Sequence, residues 1–275
     1  MAFSSFLKYW ALILVTAIIT FVILLLELPD KNFQIHFFDV GQGDAIFIKT
    51  PENHQVLIDG GKNDQILERL SEVMPFFDKE IDLVILTHPD LDHLGGLIEA
   101  IHRYKFNMVL ITGIALDDDY YSEFLDEIGK QNGSVIFANQ DSDFLLGDVQ
   151  IDVLFPFEKL VGESFANTNL SSIVSKISYF DHEILLTGDM EKEIESLLIS
   201  KNNLSAEILK IGHHGSKTSS SEEFLKQVSP EYAVIQCGKN NSYGHPHEET
   251  LEAIRNAGIK KILRTDQLKT IEFIF

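Results

Sequence analysis

From residue 31 onward the chain repeats one pattern of apolar and polar positions. A short run rich in Ile, Val and Leu is followed by a polar cluster carrying His, Asp or Gly, then by apolar residues three and four apart. "DLVILT" leads into "HPDLDHLGG" and "LIEAIHRY", and "HEILLT" into "GD" and "MEKEIESLLIS". "AEILKI" leads into "GHHGSKTSSS" and "EEFLKQV", and "YAVIQCG" into "KNNSYGHPH" and "EETLEAIRNAG". Short apolar runs bounded by Gly, Pro or Asn predict strands, and the three-four spacing with acidic starts predicts helices. Strands joined by turns are expected in "QIHFFDV-GQGD-AIFIKT-PENH-QVLIDGG", and a pair of strands in "KKILRT-DQL-KTIEFIF". Residues 31–275 are therefore expected to form one α/β domain of sheets covered by helices. Polar clusters that all follow strands converge on one sheet edge, a usual place for a site on a rigid scaffold.

The amino terminus follows another pattern. From Trp10 to Leu26, "WALILVTAIITFVILLL" carries no charge, and the apolar run extends back to Tyr9. At 1.5 Å rise per residue, such a helix covers much of a hydrocarbon core of roughly 30 Å. "LLLELPDKN" has no A-x-A-like site, which favours a retained anchor over a cleaved signal. Residues 1–30 are thus expected to be a single-pass membrane anchor, with its helix at about 9–28. Lys8 precedes the segment while Glu27 and Asp30 follow it, so the positive-inside tendency puts the remaining domain outside the cytoplasm.

Charge changes the picture of partners. Lys plus Arg total 22 against 42 Asp plus Glu, and a net charge of −20 disfavours binding nucleic acid or anionic lipid through the whole surface. A local basic strip of Lys210, Lys217, Lys260, Lys261, Arg264 and Lys269 remains an expectation. Cys237 stands alone, which excludes an intrachain disulfide, and its apolar strand makes it a packing residue.

The chemistry concentrates after the strands. His88, Asp90, Asp92 and His93 form H-x-D-x-D-H. His88 and Asp90 can reach one metal ion together, and Asp92 with His93, at a helix start, can reach a second. A plain turn with an Asp N-cap needs only one of the four. Asp189 ends the apolar run "ILLTGD", where a lone carboxylate is costly to bury; bridging two cations would supply its partner. His213 and His214, beside glycine after another strand, add two imidazoles. Ser216 and Lys217 are candidates to contact a phosphate, or else plain loop residues. His245, ahead of His247, is a candidate proton donor to a leaving oxygen, or else a loop histidine before the helix at "HEET". "GQGD" lacks a following Gly-Lys-Ser/Thr and "GESFA" lacks the last glycine of a nucleophile elbow, which argues against nucleotide loops and serine hydrolases.

The stretches "FFDVGQGDAIFI", "VLIDGG", "THPDLDHLGG", "LLTGD", "LKIGHHGSKTSS" and "YGHPH" run in this order over residues 37–247. Together they resemble the metallo-β-lactamase superfamily, in its ComEC-type competence branch. The resemblance implies a four-layer αββα sandwich with two divalent ions, zinc or manganese, at one edge. It implies His88 and Asp90 as ligands of one ion, Asp92 and His93 of the other, and Asp189 as the bridge. His214, rather than His213, is expected to complete the second shell. Asp44 and Asp59 would orient ligands, the alternative being turn aspartates beside glycines. Asn167 or Asn169 of "NTNLSSIV" is a candidate to face the site, with Asn169 the choice for orienting a ligand, or else each is a turn residue. Two departures stand out. Asp90 replaces the histidine of the commoner H-x-H-x-D-H, and the histidine usual before the bridging Asp has no counterpart. The harder ligand set makes manganese a rival to zinc.

Two ions roughly 3.5–4 Å apart can hold a bridging hydroxide and stabilise the oxyanions of an in-line displacement. That chemistry suits phosphodiester, ester and amide hydrolysis alike. The resemblance implies a phosphodiesterase with DNA as a candidate substrate, and Asp92 and His245 as the residues carrying the chemistry. With one anchor, this chain is not expected to form a DNA pore itself. A small extracellular phosphoester, such as a cell-wall choline phosphoester, is the alternative substrate and fits the charge of −20. A non-catalytic membrane-tethered metal-binding module is the alternative outside enzymology, and β-lactam hydrolysis ranks last.

Overall fold

A computed structural model describes residues 2–26, 31–131, 133–201 and 203–275, with side chains inside the first helix described at 6 and 8–22. The chain forms two compact units, Met1–Lys31 and Asn32–Phe275. The first contains α1 (Ala2–Leu26), along which the consecutive Leu12, Ile13, Leu14 and Val15 are all exposed. Among the described residues no helix is long and apolar enough to cross a membrane. The expected span of about 9–28 ends at residues 27 and 28, which lie outside the described residues, as do Glu27 and Asp30 of its acidic flank.

The second unit opens with β1 (Gln34–Phe37), β2 (Ile46–Lys49) and β3 (Gln55–Ile58), an antiparallel meander. Next come α2 (Gln65–Val73), β4 (Glu80–Ile85), α3 (Leu91–Ile101), β5 (Lys105–Ile111), α4 (Asp119–Gln131) and β6 (Ser134–Phe137). Then follow β7 (Phe144–Leu146), β8 (Val149–Phe155), β9 (Val174–Tyr179), β10 (His182–Leu186), α5 (Lys192–Lys201), β11 (Ile208–Lys210) and α6 (Glu222–Val228). The chain closes with β12 (Tyr232–Ile235), α7 (Glu248–Asn256), β13 (Lys261–Arg264), α8 (Thr265–Leu268) and β14 (Ile271–Ile274). One sheet has the order β14-β1-β2-β3-β4-β5-β6, and the other β13-β12-β11-β10-β9-β8-β7.

The period-2 alternation of each strand makes four layers. Ile35, Ile48, Ile58 and Ile85 of one sheet meet Ile151, Ile177, Ile184 and Ile208 of the other in a dry central core. The opposite faces of the strands pack on helices. Leu57, Val84 and Val109 lie against Leu70, Leu97 and Phe124, while Leu185, Leu209 and Ala233 lie against Leu198, Phe224 and Ile254. Buried side chains of this kind each stabilise by about 1.5–3 kcal/mol. The β3-to-β6 and β10-to-β13 runs are parallel, so their carboxyl ends and following loops gather at one edge.

Two expectations change here. The closing strands β13 and β14 do form, but each joins a different sheet: β13 pairs with β12, and β14 with β1. Lys210 cannot belong to a surface basic strip, because it has no exposure at all. Cys237 is buried, with its thiol pushed up to about 12 chiefly by that burial, in keeping with a packing role.

His36 is another packed side chain, with its ring centroid 6.0 Å from that of Phe38 and 6.2 Å from that of Phe47. Burial, and secondarily the charge of Lys49, push its pKa down from 6.5 to about 4. The unfolded chain therefore binds a proton that the fold refuses, and the stability is full above pH 6.5 and lost as pH falls towards 4. We expect this one group to remove on the order of 3 kcal/mol over that window. Urea unfolding of His36→Gln should show a correspondingly shallower acid loss; identical slopes in both proteins would refute the assignment.

Candidate metal centre

The first ligand-bearing segment follows β4 and enters α3, so Asp92 and His93 sit in the helix's first turn. Asp90 occupies the N-cap position but makes no side-chain cap bond; its carboxylate accepts instead from the Thr168 hydroxyl. The simple capping alternative therefore fails. Two glycines let neighbouring loops lie directly on this turn. A Cβ on Gly43 would stand 2.0 Å from the Asp92 carbonyl oxygen, and one on Gly96 1.9 Å from that of Gly60. This contact places Asp44 and Asp59 behind the His93 ring.

Three imidazoles are each held by Nδ1. His93 Nδ1 lies 2.8 Å from Asp59 Oδ2, and His214 Nδ1 lies 2.9 Å from the Gln236 carbonyl oxygen. His88 Nδ1 lies 3.1 Å from Thr87 Oγ1. The single Thr87 hydroxyl proton goes to Asp59 at 2.7 Å, so His88 Nδ1–H must donate and its Nε2 carries the lone pair. The Nε2 atoms of His88, His93 and His214 are all buried without a hydrogen-bond partner. His93 Nε2 faces Asp189 Oδ1 at 3.4 Å, while His214 Nε2 is 3.3 Å from both Asp189 Oδ2 and Asp92 Oδ2. His88 Nε2 lies 3.7 Å from Asp90 Oδ2.

His213 and His214 share a turn in which both adopt left-handed backbone, φ 49 and 53. Such residues cost of order 1–3 kcal/mol each and persist where surrounding structure over-determines them. The turn sends His214 inward and keeps His213 at the rim, with its Nε2 3.8 Å from Asp189 Oδ2 and its Nδ1 3.4 Å from Glu191.

Electrostatics agrees with a site built for cations. Burial alone would raise the pKa of Asp189, but His214 and His93 outweigh it and hold the carboxyl well below its ordinary range. Burial likewise opposes charge on His93 and His214; Asp189 overcomes it in both, with Asp59 helping for His93 and Asp44 for His214, so both are held well above 6.5. A proton on Nε2 and a metal ion compete for one lone pair. Asp44, His93, Asp189 and His214 each offer a ligand atom, and these four atoms lie within 4.8 Å of one another. Asp44 is nevertheless already engaged by the buried Lys210 ammonium, and stands on the Nδ1 side of His214 at 3.2 Å. Its place is behind the rings.

The remaining expected residues divide. Asn169 is buried, with Nδ2 3.4 Å from His213 Nδ1, whereas Asn167 accepts the Asn169 backbone N–H as an ordinary turn residue. His245 is half-buried beside His213, at a ring distance of 5.5 Å. Burial and then His214 and His213 lower its pKa to about 4, so near neutral pH it is an uncharged ring with an unpartnered Nδ1. His247 accepts the Lys217 backbone N–H and makes no helix-cap bond. Ser216 and Lys217 lie behind His213, which Thr218 Oγ1 approaches at 3.1 Å. Ser216 is buried with its hydroxyl 3.2 Å from that of Thr218, and Lys217 borders a separate cavity of about 80 Å³. The site residues missed in the sequence are Lys210, Thr87, Thr168 and Glu191. Lys210 alone left a signal, as a cation inside the apolar run "AEILKI".

A four-layer sandwich with convergent imidazoles and carboxylates at one edge defines a metal-binding α/β scaffold. Residues 38–239 match the metallo-beta-lactamase superfamily, and the chain belongs to that family. It is 32% identical over 274 residues to ComE operon protein 3 of Bacillus subtilis (strain 168), covering 93% of this chain and 34% of that protein. Competence protein ComA of Neisseria gonorrhoeae is 29% identical over 273 residues, covering 97% and 36% respectively. The chain thus spans about a third of the length of the curated relatives it matches. Among solved structures, the metallo-beta-lactamase fold protein YhfI of Bacillus subtilis aligns with a TM-score of 0.57 at 14% identity. That alignment covers 88% of this chain and 100% of YhfI, a likeness of fold alone.

Proposed function

We propose that this chain is a membrane-anchored, two-metal phosphodiester hydrolase of ComEC-like type. The observation that carries the metal assignment is a set of three buried, unpartnered Nε2 atoms, those of His93 and His214 facing the two oxygens of Asp189 and that of His88 facing Asp90. Buried polar atoms are rarely left unsatisfied, and divalent cations fit this donor set of imidazoles and carboxylates. His88 and Asp90 would hold one ion and Asp92, His93 and His214 the other, with Asp189 shared and His213 at the rim. Bound zinc or manganese would polarise a phosphoryl oxygen and neutralise its charge. The chain's own residues supply order: Asp59, Thr87 and the Gln236 carbonyl fix the three rings, and Thr168 holds Asp90. His245 offers a neutral ring with a free Nδ1 at the edge of the cluster's cavity.

Phosphodiester chemistry, with DNA as candidate substrate, is supported by likeness to a protein named for competence. The anchor reading is supported by α1 carrying apolar residues all round rather than along one stripe, and the placement of residues 31–275 outside the cytoplasm by Lys8 preceding the apolar run. A small extracellular phosphoester is the second reading, favoured by the charge of −20. The test is turnover by the purified chain in detergent, with manganese or zinc, of labelled single-stranded DNA, bis(p-nitrophenyl) phosphate and p-nitrophenylphosphorylcholine. Metal-dependent DNA cleavage supports the proposal. Cleavage of the choline ester with intact DNA shifts it to the second reading, and no turnover leaves a non-catalytic module. Saturating metal should also raise Tm by about 5–10 °C, read by calorimetry with and without EDTA.

A further inference from the structure

A groove of about 700 Å³ opens beside the metal cluster and extends beyond the residues assigned to the chemistry above. It shares Gln42, Asp90, Asp92 and Tyr243 with the cluster's own cavity, so whatever fills it adjoins a group held at the metals. The volume is that of a small-molecule site, larger than a phosphate group needs. Pro89, Leu91 and Leu116 give it apolar lining.

Tyr243 forms its aromatic wall. The ring is 60% exposed, and it stacks on His245 at 5.6 Å with an interplanar angle of 21°, extending the row of rings outward from His213. Single exposed aromatics are ordinary; this one is held in place. The Asn241 amide donates to the carbonyls of Gly238 and His245 at 2.9 and 2.6 Å and accepts the His245 N–H at 2.9 Å, bracing the loop on both sides of Tyr243. Where groove and cluster meet, Gln42 accepts the Gly238 N–H through Oε1, and its Nε2 is buried without a partner. An orphaned amide donor next to a ligand groove calls for an acceptor oxygen.

We propose that the groove is a nucleobase subsite, in which Tyr243 stacks on the base of the nucleotide whose phosphate lies at the cluster and Gln42 donates to an oxygen of that nucleotide. A flat ring on an apolar bed fits a planar base, and base–aromatic stacking tolerates any sequence. A choline headgroup fits less well. One aromatic wall makes no cage, and trimethylammonium has no acceptor for Gln42. The inference rests on the phosphodiester reading and is tested apart from it.

The manganese-loaded full chain in detergent is titrated calorimetrically with thymidine 5′-monophosphate, deoxyribose 5-phosphate and phosphocholine. The nucleotide should bind about 10-fold more tightly than the sugar phosphate. That advantage should vanish in Tyr243→Ala and survive in Tyr243→Phe. Equal binding of nucleotide and sugar phosphate, absence of nucleotide binding, an advantage that persists in Tyr243→Ala, or tighter binding of phosphocholine would each overturn the subsite. Hydrolysis of bis(p-nitrophenyl) phosphate, which has no base, judges the phosphodiester reading separately.

Discussion

Asp189→Asn should lower metal-dependent turnover by about 10³-fold or more and strip the chain of bound metal. Asp189 is 2% exposed in the loop that follows β10, and its two oxygens serve different imidazoles, Oδ1 facing His93 and Oδ2 facing His214. An amide keeps the shape but loses the charge, and it turns an N–H donor towards one Nε2 that must offer a lone pair. Interactions worth several kcal/mol with a reacting phosphoryl group then disappear, at tenfold in rate per 1.36 kcal/mol. Metal content after gel filtration and turnover of bis(p-nitrophenyl) phosphate are the two readouts. A variant that keeps both ions and works within tenfold of the parent would remove Asp189 from the centre of the site.

Lys210→Met should destabilise the second unit by about 3–5 kcal/mol. The lysine is fully buried at the end of β11; its ammonium pairs with the 1%-exposed Asp44 and donates to the Gly188 carbonyl at 3.0 Å. Burial works against charge on Asp44, and Lys210 leads the groups that reverse this and keep it ionised. A methionine of similar length takes away that carboxylate's leading counter-charge, which is the expensive way to break a buried pair. Adding Asp44→Leu should restore part of the stability while freeing the ring of His214 that Asp44 approaches. Urea unfolding of the two variants decides the matter: a loss below 1 kcal/mol in Lys210→Met, or no recovery in the double variant, would contradict the pairing.

Much of the candidate site could be read along the chain because its densest stretch is local. His88 to His93 lie within one strand-to-helix turn, and the strand–cluster–helix period that predicts β4, β10, β11 and β12 also predicts where their following loops gather. Positions far apart behave otherwise. Asp44 reads equally as a turn aspartate or an orienting group, and only the contact of its loop with α3 puts it behind His93 and His214. Thr168 holds Asp90 from 78 positions away, and no spacing rule reaches that far.

The amino-acid order by itself determined most of the elements, the candidate ligand types and the family, since periodicity and motif are properties of neighbouring residues. Tertiary structure decided the partners. β13 and β14, with six residues between them, part company into two sheets because β13 adds to the preceding strand β12 at one sheet's edge while β14 pairs with the distant β1 at the other's. Lys210 turns from an expected surface cation into a buried counter-ion for the same reason: the charge balance of an interior is set by which strands lie side by side. That balance is struck only when the fold closes.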